Sequence, residues 1–141
     1  MQKLPTRTQL QRELSQKLQL IYCQQFGCFN SKISCYIFDK KLAIIVEDTN
    51  TKIENILQES SQLHLAANVR TVVEQKFINL IKPIIINILE VEVIDLISDS
   101  SPNDGILGIL VFLNNPPTTR IMAKNKYLRI EMKSENAENN R

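Results

Sequence analysis

The chain has 141 residues, a length that fits one domain and is too short for two ordinary ones. With 43% hydrophobic and 23% charged residues its composition is globular, which excludes wholesale disorder. The net charge of +2 does not indicate specific nucleic-acid binding, although an acidic body, residues 33–117 (−5), lies between basic flanks, residues 1–32 (+4) and 118–141 (+3). Ordinary solvated surface is the favoured interpretation. The alternative is electrostatic attachment of the flanks to nucleic acid, anionic lipid or an acidic partner.

The first predicted element is an amphipathic helix over residues 6–26. Its apolar residues recur every three or four positions and form one stripe: Leu10, Leu14, Leu18 and Ile21. Thr6 and Gln9 have the spacing of a capping box, and Gly27 is a plausible C-terminal stop. This polar N-terminus lacks the apolar region of a secretory signal, and no run approaches 18 apolar residues, so we expect no transmembrane segment.

A hairpin is predicted next, with strands over residues 33–38 and 42–46 joined by a polar turn at 39–41. A second helix begins at Thr51, where Thr51 and Glu54 form another capping box, and ends near residues 60–61. Its apolar side consists of Ile53, Ile56 and Leu57.

The third helix is predicted over residues 65–89, where apolar residues keep helical spacing throughout. Pro83 lies inside this segment, and proline removes a backbone donor and clashes with the carbonyl four residues earlier. A kink near Asn79 is the favoured outcome. The alternative is a break, with residues 84–89 forming a strand.

Two further strands are predicted at 91–97 and 106–113, separated by a turn-rich loop at 98–105. The predicted fold is a single α+β domain over residues 1–117 in the order α-β-β-α-α-β-β. Its four-stranded antiparallel sheet would carry the helices mainly on one face. The strands at 42–46 and 106–113 are apolar enough to suggest burial of both faces at the centre, by a homodimer or by the C-terminal segment. Residues 118–141 form a basic extension, expected to be partly disordered, with an edge strand or a short helix as possibilities.

Catalytic chemistry has little support in this sequence. Three glycines leave no phosphate-binding loop of the usual kind, and one histidine, His64, leaves little room for acid–base catalysis. The three cysteines, Cys23, Cys28 and Cys35, are expected to be reduced cytosolic thiols, and His64 would complete a metal site only if the fold brought it close. We therefore expect no enzyme activity, no cofactor and no metal.

Three residues are weak candidates for ligand binding: Arg70, Lys82 and Asp99. Arg70 and Lys82 lie on the third predicted helix and could bind an anion, although exposed, snorkelling side chains are the favoured interpretation. Asp99 belongs to the loop at 98–105, whose oxygens could bind a divalent cation. The loop lacks the ligand spacing of an EF-hand, so an ordinary turn is favoured.

The ordered motifs resemble those of a bacterial family, the MpsC-like (YbcI-like) domain, over about residues 10–113. The matching features are Gly27 before a hairpin with Ile33 and Tyr36, Thr51-x-x-Glu54-x-x-Leu57, Val69-Arg70, Phe77, Lys82-Pro83, Ser98-Asp99 and Val111-Phe112-Leu113. The chain departs from the family where Leu89-Glu90 replaces a usual Thr-Gly and Phe29-Asn30 a usual Gly-Pro.

The family is named for a component of a sodium-translocating, membrane-potential-generating system linked in some bacteria to inorganic-carbon uptake. The resemblance implies a small cytosolic accessory protein that binds a transporter subunit, with peripheral attachment to the inner face of the membrane as an alternative location. It implies no catalytic residue. The alternative function is a small-ligand or anion sensor, with the anion near Arg70, Lys82 and the start of the second helix.

Overall fold

A computed structural model of the chain describes residues 4–28, 30–101 and 103–119. Its elements are α1 (Arg7–Phe26), β1 (Lys32–Phe38), β2 (Lys41–Glu47), α2 (Lys52–Glu59), α3 (Leu63–Leu89), β3 (Val93–Ser101) and β4 (Ile106–Leu113). The strands form one antiparallel sheet in the order β1-β2-β4-β3. The predicted α+β class, the element order and the four-stranded antiparallel sheet are confirmed.

The core lies between one face of the sheet and the helices α1 and α3. Alternate residues of β1, β2 and β4 are buried on this inner face, as expected when one side of an antiparallel sheet is covered. The opposite, outer face is only partly covered by the described residues, since Ala43, Leu110 and Phe112 are half-buried and Ile45 is exposed. Burial of this face by a homodimer or by the C-terminal segment remains a prediction.

The helix boundaries follow the capping signals. The side chain of Thr6 accepts a hydrogen bond from the Gln9 amide, and Gly27 ends α1 in the left-handed conformation with φ 67°. α3 continues as one helix through Pro83, so the alternative strand at 84–89 was wrong. Ile81 and Ile85, which lie one helical turn apart on either side of the proline, are both fully buried in the core. A kink near Asn79 remains a prediction.

β3 is displaced from its predicted position. It begins at Val93 and extends to Ser101, so half of the polar loop predicted at 98–105 belongs to the strand. Polar residues are tolerated there because β3 is an edge strand whose side chains are mostly exposed. The prediction of a loop at 98–101 was wrong, because its serines and aspartate belong to β3.

The other edge strand, β1, is covered by polar side chains of α1. The Ile37 amide donates to Gln11 Oε1 at 2.9 Å, the Cys35 amide to Ser15 Oγ at 3.1 Å and the Ile33 amide to Gln19 Oε1 at 2.9 Å. Gln19 also donates through its Nε2 to the Ser31 carbonyl. These amides point away from β2, so α1 satisfies the free edge of the sheet.

The match between α1 and β1 is geometric. Four residues of an α-helix rise about 6.0 Å. Two residues of an antiparallel strand rise about 6.8 Å. Side chains at every fourth helix position can therefore bind every second strand amide, and Gln11, Ser15 and Gln19 have that spacing.

Replacing Ser15 with alanine should destabilise the protein by about 1–3 kcal/mol, because the Cys35 amide loses its partner in a partly buried position. Urea unfolding measures the effect. Gln16→Ala is the matched control, since Gln16 is an exposed neighbour on the same helix and its loss should change stability by less than about 0.5 kcal/mol. Equal stability of the two variants would contradict the role given to Ser15.

Candidate functional site

The most unusual feature of the interior is a group of buried polar residues, Tyr22, Thr49, Glu54 and Arg70, here called the Arg70 cluster. They come from α1, the β2–α2 loop, α2 and α3 respectively. The cluster therefore joins α1, α2 and α3 at one end of the core. Arg70 is 6% exposed and Glu54 1%, although arginine and glutamate are seldom fully buried without a partner.

The sequence positions these residues through local rules. Tyr22 continues the buried stripe of α1, four residues after Leu18. Glu54 is the third residue of α2, and its carboxylate accepts from the Thr51 amide at 2.6 Å in the predicted capping box. The same carboxylate therefore caps α2 and faces α3.

Arg70 is held by four hydrogen bonds. Its Nε donates to Glu54 Oε1 at 2.6 Å, and its Nη2 donates to Glu54 Oε2 at 3.0 Å. Nη2 also donates to the Thr49 carbonyl at 2.8 Å and to the Tyr22 hydroxyl at 3.3 Å. The Tyr22 hydroxyl donates in turn to the Thr49 carbonyl at 2.7 Å. The two-fold contact between guanidinium and carboxylate is the strongest geometry available to such a pair.

Burial shifts the ionisation of this cluster. Desolvation raises the pKa of Tyr22 to about 12, even though the positive charge of Arg70 acts in the opposite direction. Burial also opposes the charge of Arg70, but hydrogen bonds and charge from Glu54 and Tyr22 outweigh it and raise the pKa of the guanidinium. Arg70 therefore stays charged and Tyr22 stays neutral at physiological pH.

One side of the guanidinium is less well satisfied. Arg70 Nη1 and Glu74 Oε1 are buried atoms without a hydrogen-bond partner, and they lie 4.0 Å apart one helical turn from each other. Their opposite charges attract at this distance, but the primary partner of Arg70 is Glu54.

The three sequence-predicted ligand-binding residues lie in different places. Arg70 was expected to be exposed and is buried, because Glu54 offers a charged partner that a single-helix pattern cannot reveal. Lys82 is exposed, as expected. It lies twelve residues further along α3, about 18 Å at the rise of an α-helix, so it does not converge with Arg70. Asp99 lies on β3, where its Oδ1 accepts from the Ser100 amide at 2.9 Å.

Only one part of the predicted anion site is therefore assembled. Arg70 reaches the start of α2, but the Glu54 carboxylate already occupies that position. Ligand binding by Arg70, Lys82 or Asp99 remains a prediction. Sequence reasoning missed Tyr22 and Glu54 as members of the cluster. The capping box was a signal for Glu54, but nothing in the sequence indicated that its carboxylate is also buried against α3.

The cysteines are free thiols that differ in burial. Cys28 and Cys35 are buried, whereas Cys23 is intermediate. Burial raises the pKa of the Cys35 thiol to about 11, so it is a poor nucleophile at neutral pH. Within residues 4–28, 30–101 and 103–119, no group of three histidine, cysteine, aspartate or glutamate side chains could hold a metal ion.

The pair formed by Arg70 and Glu54 also determines the orientation of α2. Glu54 is the one residue of α2 that is buried, and the apolar residues Ile53 and Ile56 are 61% and 59% exposed. α2 thus faces the domain with Glu54 and the half-buried Leu57, and it presents Ile53 and Ile56 to solvent. Ordinary surface helices do the reverse.

These features define a single α+β domain in which a buried ion pair connects α2 to α3. Residues 6–115 match the model of the family described as "Na+-translocating membrane potential-generating system (MpsC)", and the chain belongs to that family. The resemblance drawn from the sequence motifs is confirmed. Comparisons with curated proteins and with solved structures gave no match.

Family membership suggests a role in that Na+-translocating system. None of the helices within the described part of the chain is both long enough and apolar enough to cross a bilayer. The predicted extension at 118–141 lies outside the described residues beyond Thr119, and the boundary at 117 remains a prediction.

Removing one partner of the buried pair should be costly. Arg70→Met leaves the Glu54 carboxylate buried without its cation, and we expect a loss of about 3–5 kcal/mol in the free energy of unfolding. Urea unfolding of Arg70→Met, Glu54→Gln and the double variant gives the coupling between the two positions. Glu74→Gln is the control and should cost much less. Additive losses from the two single variants would contradict a direct interaction.

The raised pKa of Tyr22 predicts a loss of stability at high pH. The folded-state pKa of about 12 exceeds the unfolded value of 10.0, so this contribution is complete below pH 10 and declines as pH rises towards 12. The decline in unfolding free energy from pH 9 to pH 11.5 should be steeper in the native protein than in Tyr22→Phe, which lacks the phenol. Identical slopes would contradict the assignment. The comparison cancels lysine and cysteine titration, which both proteins share.

Proposed function

We propose that this protein is a non-enzymatic accessory component of the Na+-translocating system for which its family is named, and that it acts by binding another protein of that system. The binding surface is the apolar side of α2. The observation that supports this function is the exposure of Ile53 and Ile56 on a helix whose acidic side is buried.

The surface has the chemistry of a protein contact. Two isoleucines three residues apart lie on one side of a helix, and such a pair can enter a hydrophobic groove of a partner. Fully burying an isoleucine side chain contributes about 1.5–3 kcal/mol. Polar and charged residues surround the pair at the ends of α2, including Lys52 and Glu59. An apolar centre with a polar rim is the usual arrangement of a protein interface.

The partner is a subunit of the membrane system, because the family description names a Na+-translocating, membrane-potential-generating assembly. The proposal needs no bound nucleotide and no catalytic group. It also agrees with the placement of Arg70, whose pair with Glu54 fixes the apolar side of α2 outward.

The alternative function, a small-ligand or anion sensor, has one supporting feature. A small surface pocket of about 130 Å³ lies beside the start of α2, lined by Gly27, Cys28, Asn30, Asp48, Asn50, Lys52 and Asn55. Its lining includes one basic residue, Lys52, and one acidic residue, Asp48. The carboxylate that already occupies the start of α2 makes this alternative weaker than protein binding.

The double substitution Ile53→Ser and Ile56→Ser should abolish binding to the purified membrane subunits of the system in the absence of nucleotide. The two side chains are exposed, so the thermal unfolding temperature should change little. Leu20→Ser is the matched control, since Leu20 is half exposed on α1 and should not affect binding.

Affinity purification after mild crosslinking in the native cell identifies the subunits to test. Equal binding by the double variant and the native protein would reject α2 as the surface. Failure of the native protein to bind any membrane subunit of the system would reject the proposed function.

A further inference from the structure

The two edges of the sheet differ in their cover. α1 covers the edge of β1 with three side-chain hydrogen bonds. β3 has only slight contact with α3 and carries two isoleucines, Ile94 and Ile97, that are more than half exposed. A long edge strand with exposed apolar residues is a ready template for another strand.

A groove lies on each side of β3. The first, about 450 Å³, separates β3 from α3 and is lined by Gln75, Ile78, Lys82, Ile86, Val93, Ile94, Asp95, Leu96 and Ser98. The second, about 490 Å³, lies on the outer face and is lined by Asp39, Lys40, Lys41, Ile94, Asp95, Ile97, Phe112 and Leu113. A strand added to this edge would direct alternate side chains into the two grooves, as in peptide recognition by strand addition.

The edge is also acidic. Asp95 and Asp99 pair with Phe112 and Gly108 of β4, which places them on the outer face four residues apart. Their carboxylates accept from the next amides along the strand, those of Leu96 at 2.8 Å and Ser100 at 2.9 Å. The edge therefore favours a strand that carries cations with the same spacing.

This charge pattern argues against a second copy of β3. Two copies paired antiparallel about Ile97 would place Asp95 of one chain opposite Asp99 of the other. Like charges directly opposite each other on neighbouring strands are destabilising. A strand with cations four residues apart would instead be attracted to Asp95 and Asp99.

The chain itself contains a segment with the required pattern. In residues 127–133, YLRIEMK, the residues Leu128, Ile130 and Met132 alternate with Arg129, Glu131 and Lys133, so the charged side carries two cations and one anion. The two cations are four residues apart, as are Asp95 and Asp99. Period-two alternation of this kind is typical of a strand with one apolar face.

The segment is also within reach. β4 ends beside the start of β3, where the Asn114 amide donates to the Glu92 carbonyl at 3.0 Å and the Glu92 amide donates to Asn114 Oδ1 at 3.0 Å. Seven residues separate Thr119 from Tyr127. They span up to about 23 Å when extended, enough to cross the end of one strand.

We propose that residues 127–133 bind along the free edge of β3 as a fifth strand of the sheet. Leu128, Ile130 and Met132 enter the groove between β3 and α3, while Arg129 and Lys133 pair with Asp95 and Asp99 on the outer face. The segment thereby covers the second sheet edge, as α1 covers the first. This inference is independent of the function proposed for α2.

Amide hydrogen exchange of the full chain, read by NMR at Ser98, tests the proposal. Ser98 lies between the amides bound by Asp95 and Asp99 and on the same edge. Ile130→Pro removes a strand donor and should speed exchange at Ser98 about tenfold, because the amide loses its cover. Ala137→Pro, in the polar end of the chain, is the matched control and should leave the rate unchanged.

A charge exchange checks the register. Asp95→Lys with Asp99→Lys should speed exchange at Ser98, and adding Arg129→Asp with Lys133→Asp should restore the native rate. Equal rates in the native protein and Ile130→Pro would overturn the proposal. Protection of Ser98 that depends on protein concentration, with a dimer in light scattering, would also overturn it, since the cover would then come from a second molecule.

Discussion

The two-fold contact between Arg70 and Glu54 determines how the helices of this domain are arranged. Both charges are withdrawn from water, so each depends on the other and on the hydroxyl and carbonyl groups supplied by Tyr22 and Thr49. Without that pair α2 would lose the contact made by its one fully buried residue, Glu54, and would keep only the half-buried Leu57 against the domain. The Glu54 carboxylate takes part in two contacts. It caps the N-terminus of α2 locally, and it binds Arg70 on α3, sixteen residues later in the chain.

The same contact explains why α2 exposes its apolar side. An amphipathic helix gains most by burying its isoleucines, and α2 does not do so. Glu54 is buried instead, as part of the Arg70 cluster. Rotation of α2 about its axis to bury the isoleucines would break the contact between Glu54 and Arg70. The protein therefore keeps an apolar surface in water at a cost in stability, as proteins do where a partner is to bind. In the function proposed above, that surface binds a subunit of the membrane system for which the family is named.

The sheet illustrates a second constraint, the treatment of unpaired strand edges. β1 has no neighbour beyond β2, but Gln11, Ser15 and Gln19 supply acceptors at the spacing of its outward amides. Among the described residues, β3 has its own aspartates at the corresponding positions. The outward amides of β1 are already bound by side chains of α1, so this edge cannot pair with another strand. The outward amides of β3 are bound by aspartates of the same strand, which an added strand can displace. The two edges therefore have different capacities for interaction, although both belong to one sheet.

Much of the architecture follows from local sequence signals. The capping residues Thr6, Gly27 and Thr51 are at the ends of their helices, and β4 has the predicted bounds, because capping and alternation depend on neighbours within four residues. The sequence was less informative where a distant residue decides the outcome. β3 extends through serines and aspartates because pairing with β4 outweighs their turn preference, and α3 continues through Pro83 because its flanking residues are buried.

The candidate site depended most on tertiary structure. The sequence by itself determined the element order, the family and the position of Glu54 in a capping box. Only the fold decided that Arg70 is buried rather than exposed, that Lys82 lies away from it, and that Ile53 and Ile56 face solvent. The physical reason is that helical periodicity defines which residues share a side of a helix but not which side faces the core. That choice depends on which partner is present across the interface, and here a single buried cation on α3 selects the acidic side of α2.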